Sequence, residues 1–484
     1  MTYGKRLTAL MLAVLISLGV MSSCGESAEA PASTTADETG FAAAEETTVD
    51  PEITIIPDEL PDDLDFGGAD FRIGFMDEGG ISPCLVFEAN GDVVNDAVYE
   101  STTRVMERLN VNFVPVIYGD AGMSPVRKSV MSGDNAYEAV TGHDISIGNL
   151  SITGIFLDNR AVPYLDFDKP WWPSYSVDSL TVNGHMMILT GYLSYHNLQS
   201  TQALWLNKKI LENFGHELPY QSVRDGLWTL DRLTDLVKDV YTDLNGDTVR
   251  DDGDLYGWAN TSAVYGYQES FGIEPYKEDE NGVLYVDASN ERLLELVNKT
   301  RNIFYGTDGG MILEKMDYIQ KFREGTSMMM YAGLGTFASL RDSDIEYGFL
   351  PTPKFDELQE YYMSGSTDRP YAIPANVPDA GYSGAVLEAL ASEGYRTVRP
   401  AYFDIALKNK YTYDEDSAEM LDIIGNTIIL DFAYIYSNYV GFAWTLMTLL
   451  GRKSKGDFAS YAAKQESKEN KRIDKLNEFF QSIG

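Results

Sequence analysis

The chain has 484 residues, and its 37 Lys and Arg against 74 Asp and Glu give a net charge of −37. That balance excludes a nucleic-acid binder, which needs a basic face over the phosphates. Apolar residues make up 44% and aromatics 12%, enough for a packed body. Past the acidic N-terminal stretch roughly 420 residues remain, more than one hydrophobic core supports, so two lobes are expected.

The first segment reads as a targeting signal. Lys5 and Arg6 precede an apolar run from Leu7 to Val20, followed by Met21-Ser22-Ser23-Cys24. Charge, short apolar core and small residues in that order mark a secretory signal. The run is too short for a bilayer span, which needs ~20 apolar residues. Small residues before a single Cys resemble the lipobox of bacterial lipoproteins, although Met21 stands where Leu is usual. The resemblance implies a signal over 1–23 and a diacylglyceryl group on Cys24, which holds the protein outside the cell membrane. Residues 25–65 contain 13 acidic residues and no Lys or Arg. Such a stretch buries too little apolar surface to offset its chain entropy, so 24–65 is expected to be a disordered acidic tether. Only Cys24 and Cys84 occur, and with Cys24 acylated no disulfide is possible.

In the body, apolar alternation over Phe71–Phe75 predicts a strand. Asp92 can cap a helix whose Val94, Val98, Val105 and Leu109 share one face, and Val111–Ile117 predicts the next strand. That β-α-β unit implies a parallel sheet with helices on its faces. Further on, Ala203–Leu206 has the composition of a buried strand, and Lys208–Phe214 that of a helix stopped by Gly215. Thr229 is placed to cap a helix with Leu230, Leu233, Val237 and Val240 inward, and Ser327–Tyr331 predicts another buried strand. The fold class is α/β.

Several segments, in their order along the chain, carry a family resemblance. They are Asp65-Phe66-Gly67-Gly68, Gly91 to Glu100, Lys169-Pro170-Trp171-Trp172, Ala203 to Phe214, Tyr347 to Glu357 and Thr397 to Tyr402. Together they resemble the extracellular solute-binding lipoproteins of ABC importers, in the family 1 branch related to maltose-binding protein. The resemblance implies a two-lobed, periplasmic-binding-protein-like fold with a hinge, an interlobe ligand cleft and a helical C-terminus. One lobe would hold 66–195 with 351–395, the other 196–350 with 396–484. It also implies a monomer that takes a small solute, a sugar or oligosaccharide, and passes it to permease subunits.

The sharpest local motif is an acidic loop. Asp243, Asn245 and Asp247 put oxygens at positions one, three and five, the Val249 carbonyl serves position seven, and Asp254 takes position twelve. That spacing resembles an EF-hand or dockerin-type calcium loop, with Thr248 in place of the turn glycine and Asp254 in place of Glu. A structural Ca2+ is the one cofactor expected. Sugars stack on aromatic faces while carboxylates and amides take their hydroxyls. Candidate contacts are therefore Tyr192, Tyr195 and Asn197 at the first crossover, Trp258 and Tyr267 after the acidic loop, Tyr331 and Gly333 at a strand end, and Trp444. Asp77 and Glu78 follow the first strand, where related proteins place ligand-binding acids. Trp171 and Trp172 are assigned to packing.

Catalytic signatures are missing. The four His residues, His143, His185, His196 and His216, show no metal spacing, and no GxSxG elbow occurs. Paired carboxylates are too abundant to be informative. A binding protein is expected, with a secreted carbohydrate-active enzyme or a surface adhesion lipoprotein as the alternatives.

Overall fold

A computed structural model describes residues 56–76, 85–119, 122–314, 317–407, 414–451 and 458–483. Cys24, Asp77, Glu78 and Cys84 lie outside them, as do the signal and nearly all of the tether.

Two sheets organise the body. The first has four strands in the order Tyr371–Ala372, Ala139–Thr141, Ala69–Phe75, Val111–Ile117. Ala69–Phe75 runs parallel to both neighbours, with Ala69 opposite Val111 and Phe75 opposite Ile117. The helix Val93–Leu109 connects the pair. The Asp92 carboxylate accepts from Val94 N and Asn95 N, both at 3.1 Å, which satisfies two of the amides every helix start leaves open. Val94, Val98, Val105 and Leu109 form its buried face, as the apolar spacing predicts. Asn110 ends the helix in the left-handed conformation, with φ of 47°.

The second sheet is mixed, in the order Tyr347–Leu350, Gln202–Asn207, Ser327–Gly333, Leu255–Asn260, Tyr241–Thr242, with Gly310–Ile312 also on Leu255–Asn260. Ser327–Gly333 is antiparallel to Gln202–Asn207 and parallel to Leu255–Asn260. Trp205 lies in its core. The indole packs edge-on to Phe349 at 4.6 Å, and its Nε1 donates to Ala332 O at 3.1 Å. Truncating a tryptophan buried like this costs about 3–5 kcal/mol.

The chain leaves the first sheet after Leu189, builds the second, and returns to pair Tyr371 with Leu189 and Thr141. The outgoing and return segments are tied together. Thr190 Oγ1 donates to Asp368 Oδ2 at 2.7 Å, and Ser366 Oγ donates to Asn197 O at 3.0 Å. The outgoing segment also rests on a buried clasp. Glu388, in helix Ala380–Glu393, accepts from Trp171 Nε1 at 2.8 Å, Trp172 Nε1 at 2.9 Å and Asp166 N at 3.2 Å. Tyr192 N in turn donates to Trp171 O.

Behind the return segment the fold is helical. A π-helical turn, Gly394–Val398, leads into Arg399–Leu407, and both pack on Val93–Leu109 beside the first sheet. Glu415–Asn426 packs on strand Tyr347–Leu350, and Phe458–Ile483 on strand Leu284–Val286. Asn477 locks that last contact by exchanging two hydrogen bonds with the Leu284 backbone. The C-terminal segment therefore touches the bodies of both sheets. Among the described residues no helix is long and apolar enough to cross a membrane.

Candidate functional site

Three parallel strands, Ala69–Phe75, Val111–Ile117 and Ala139–Thr141, end at the same side of the first sheet. A cleft of about 740 Å³ opens there. In open α/β sheets this is where ligands bind, because the loops that leave the strand ends diverge and leave a crevice. Phe75, Ile117, Thr141, Gly142 and Tyr371 line it, together with Leu85–Asn90 and with Ser194, Tyr195, His196 and Gln199 of the outgoing segment. Ile117 is 67% exposed and Phe87 46% exposed. Large apolar side chains left open at a concave surface mark a binding site more strongly than single ones on a convex face.

A group of acids and rings begins two residues along the chain from the cleft lining. Gly142 lines the cleft, and Asp144 opens the helix Asp144–Ser151 two residues later. Asp144 is only 1% exposed. Its Oδ1 accepts from Ile145 N at 2.8 Å and lies 2.7 Å from His143 Nδ1, while Oδ2 meets no donor among the described residues. The Tyr434 phenol is close enough to feel the Asp144 charge. Burial pushes that phenol up, and the Asp144 and Glu269 charges push it further. Tyr434 packs on Trp444 at 5.1 Å, and Trp444 meets Tyr265 edge-on at 6.2 Å. Tyr265 is 47% exposed.

The sequence-derived candidates divide between these features and the interior. Tyr195 lines the cleft, and Trp444 stands in the aromatic group. Gly333 ends its strand against the outgoing segment, where a Cβ would lie 2.8 Å from Gln199 O. Asn197 is buried and stitches that segment, its Nδ2 donating to Gly191 O at 2.9 Å and its Oδ1 accepting from Leu198 N at 2.7 Å. Tyr192 is buried edge-on against Tyr395 at 5.2 Å. Trp258, Tyr267 and Tyr331 form one interior stack, with ring centroids 5.6 and 5.0 Å apart. The structure does not bring these last four aromatics to the cleft. Asp144, Tyr265, Tyr434 and the apolar Ile117 and Phe87 went unread. Asp144 was open to reading, because Gly142-His143-Asp144 directly follows a three-residue buried strand, the place where a strand-to-helix turn presents a side chain.

The acidic loop bonds largely to itself. Asp243 accepts from Gly246 N at 2.7 Å and Thr248 N at 2.9 Å, and Asp247 from Val249 N at 2.7 Å. These amides, Thr248 N first, hold the Asp243 carboxyl below its usual range. Asn245 pairs with Asp247 through side chain and backbone. Asp254 is buried and accepts from Tyr241 OH at 3.0 Å and Leu244 N at 3.3 Å. Thr248 takes a φ of 61° at the position where calcium loops carry glycine. Among the described residues no group of three or more His, Cys, Asp or Glu side chains is arranged to hold a metal ion.

No family model and no curated protein matches the sequence. The solved structures are informative, and they define the class of fold: the two-lobed fold of ABC solute-binding proteins of family 1. A cyclic α-maltosyl-1,6-maltose binding protein from Arthrobacter globiformis aligns over 84% of this chain and 99% of its own, at 13% identity and a TM-score of 0.56. An ABC substrate-binding protein from Listeria monocytogenes, in complex with cycloalternan, aligns over 84% and 99%, at 13% identity and a TM-score of 0.51. A family 1 extracellular solute-binding protein from Bifidobacterium longum subsp. infantis aligns over 82% and 98%, at 14% identity and a TM-score of 0.51.

Proposed function

We propose that the chain is the extracytoplasmic solute-binding component of an ABC importer, tethered to the membrane through Cys24. Its solute is a small carbohydrate, and no bond is made or broken. The observation that carries this reading is the cleft at the strand ends, bounded by the segment on which the two sheet bodies hinge. Closure about that segment would sequester the solute. The apolar walls and the Tyr195 ring suit the C–H faces of a sugar, and the Asn90, Asn95 and Gln199 amides suit its hydroxyls. The neighbours' sugar ligands agree with this chemistry.

Incubation with a panel of mono- and oligosaccharides tests it. A sugar at one hundred times its Kd is expected to stabilise the protein by about 2.7 kcal/mol, and the sugar should be recovered intact. Cleaved sugar would replace a binding protein with a carbohydrate-active enzyme. Mass spectrometry of the mature N-terminus tests the anchor: an unmodified Cys24 removes the tether.

A further inference from the structure

The lining of the cleft changes character across the first sheet. Strand order puts Tyr371–Ala372 at one edge and Val111–Ile117 at the other, three strand spacings or about 14 Å apart. Toward the Tyr371 edge the lining is polar. Thr141 and Arg369 belong to it there, and the outgoing segment, which leaves the sheet beside Tyr371 at Leu189, adds Ser194, His196 and Gln199. Asn95 stands one turn from Val98, which meets the same segment around a small gap shared with Ser194 and Tyr195. Glu88 and Asn90 come from the loop before that helix. From the other two strands, among the described residues, only apolar side chains reach the cleft: Phe75, Pro115 and Ile117, with Met76 just beyond.

Those side chains are the open ends of two core rows. Alternate residues of a strand share a face, so Phe71, Ile73 and Phe75 form one row and Val111, Phe113, Pro115 and Ile117 the next, with Phe75 paired to Ile117. The rows are sealed at their starts. Phe71 meets Phe113 edge-on at 5.8 Å and Tyr382 of helix Ala380–Glu393 at 5.3 Å. Val111 and Phe113 are buried, whereas Pro115 and Ile117 are exposed. The same core face thus runs on into the cleft without a cover. A sugar ring carries hydroxyls around its rim, and burying one against aliphatic groups leaves it without a hydrogen-bond partner. The Tyr371 edge can satisfy such hydroxyls, but Pro115 and Ile117 cannot. An apolar substituent there would gain by displacing water from Phe75, Pro115 and Ile117.

We infer that the solute is an amphipathic glycoside, with its sugar toward the Tyr371 edge of the cleft and an apolar aglycone over Ile117. The sugar half of that statement rests on the function proposed above. The test is isothermal titration of the intact protein with three probes: methyl β-glucoside, benzyl β-glucoside and benzyl alcohol. The benzyl glucoside is expected to bind about tenfold or more tightly than the methyl glucoside, because an apolar wall rewards each added carbon. Ile117→Gln, at an exposed strand end, should lower that ratio. Equal or tighter binding of the methyl glucoside overturns the aglycone inference and leaves the carbohydrate function standing. Benzyl alcohol binding as tightly as its glucoside, with no binding of the methyl glucoside, supports the apolar end and overturns the carbohydrate assignment. Binding of none of the three overturns the inference. The three-probe comparison needs only the wild-type protein, so it decides the matter even if Ile117→Gln fails to fold.

Discussion

Glu388 offers a test of the hinge clasp that can be worked through from its geometry. Its carboxyl is buried and accepts from two indoles and a backbone amide. Those donors favour the charged form, but burial outweighs them and pushes the carboxyl up from 4.5 to about 7. A folded-state value above the unfolded one fixes the sign. The stability Glu388 contributes is fully present below about pH 4.5 and is lost as pH rises through 7. At 1.36 kcal/mol for each tenfold change in proton affinity, the loss amounts to about 3 kcal/mol. Glu388→Gln removes the titration. It also leaves one indole facing an amide that cannot accept, a pH-independent penalty of about 1–3 kcal/mol. The difference in unfolding free energy between wild type and variant should therefore shift by about 3 kcal/mol between pH 4.5 and pH 8. The wild type loses ground across that window. Glu269, Asp368 and Asp431 also titrate high, but they are common to both proteins and cancel. Urea unfolding followed by tryptophan fluorescence reads the difference, and Trp171 and Trp172 report the same titration directly. A difference flat across pH would show that the indoles hold Glu388 ionised and that burial is not the controlling effect.

Further outcomes follow from other sites. Trp444→Ala is expected to weaken solute binding tenfold or more, about 1.4 kcal/mol, with the melting temperature lowered by only a few degrees because Trp444 is half-buried; full-strength binding in this variant would take Trp444 out of the site. Gly365→Ala places a Cβ 2.0 Å from Gly266 O, a backbone atom that cannot swing away, so a loss of about 1–3 kcal/mol is expected in thermal unfolding. For the loop Asp243–Asp254 we propose calcium on its oxygen spacing; chelation should lower the melting temperature by a few degrees without abolishing solute binding, and an unchanged melting curve would leave a turn held by its own amides.

What could be read from the sequence followed the strength of local patterns. The β-α-β unit was legible because its cues agree: Asp92 as a cap, an apolar face at helical spacing, and a period-two strand on each side. The strand Ala203–Leu206 and the helix after it were legible for the same reason, with Gly215 in a left-handed φ of 75° marking the stop. The helix from Leu230 forms where expected, but Thr229 makes no side-chain capping bond. Packing of Leu230, Leu233 and Val237 holds that helix start without the cap. The sharing of the C-terminal helices between both sheet bodies was not legible. Nothing in the periodicity of Arg399–Leu407 or Glu415–Asn426 says which sheet body they meet, because that depends on contacts with segments far away in the chain.

The aromatics show where sequence reasoning about a site reaches its end. Trp258, Tyr267 and Tyr331 have the same side-chain chemistry as Trp444, Tyr265 and Tyr434, and the first and second members of each set fall within ten residues of a strand end or a helix start. One set closes on itself in the interior, and the other reaches the surface through Tyr265. The difference lies in backbone position. Tyr265 and Tyr267 are two residues apart around Gly266, whose φ of 71° turns the chain there. Tyr267 is thereby sent inward onto Trp258 and Tyr331, while Tyr265 is left facing Trp444. A Cβ at position 266 would lie 2.9 Å from the Gly365 backbone, so that glycine also sets how closely the return segment approaches. Gly266→Ala should therefore disturb both sets at once, shifting tryptophan emission from Trp258 and Trp444 and weakening solute binding. An alanine variant with native emission and native affinity would show that the two aromatic sets are positioned independently of this turn.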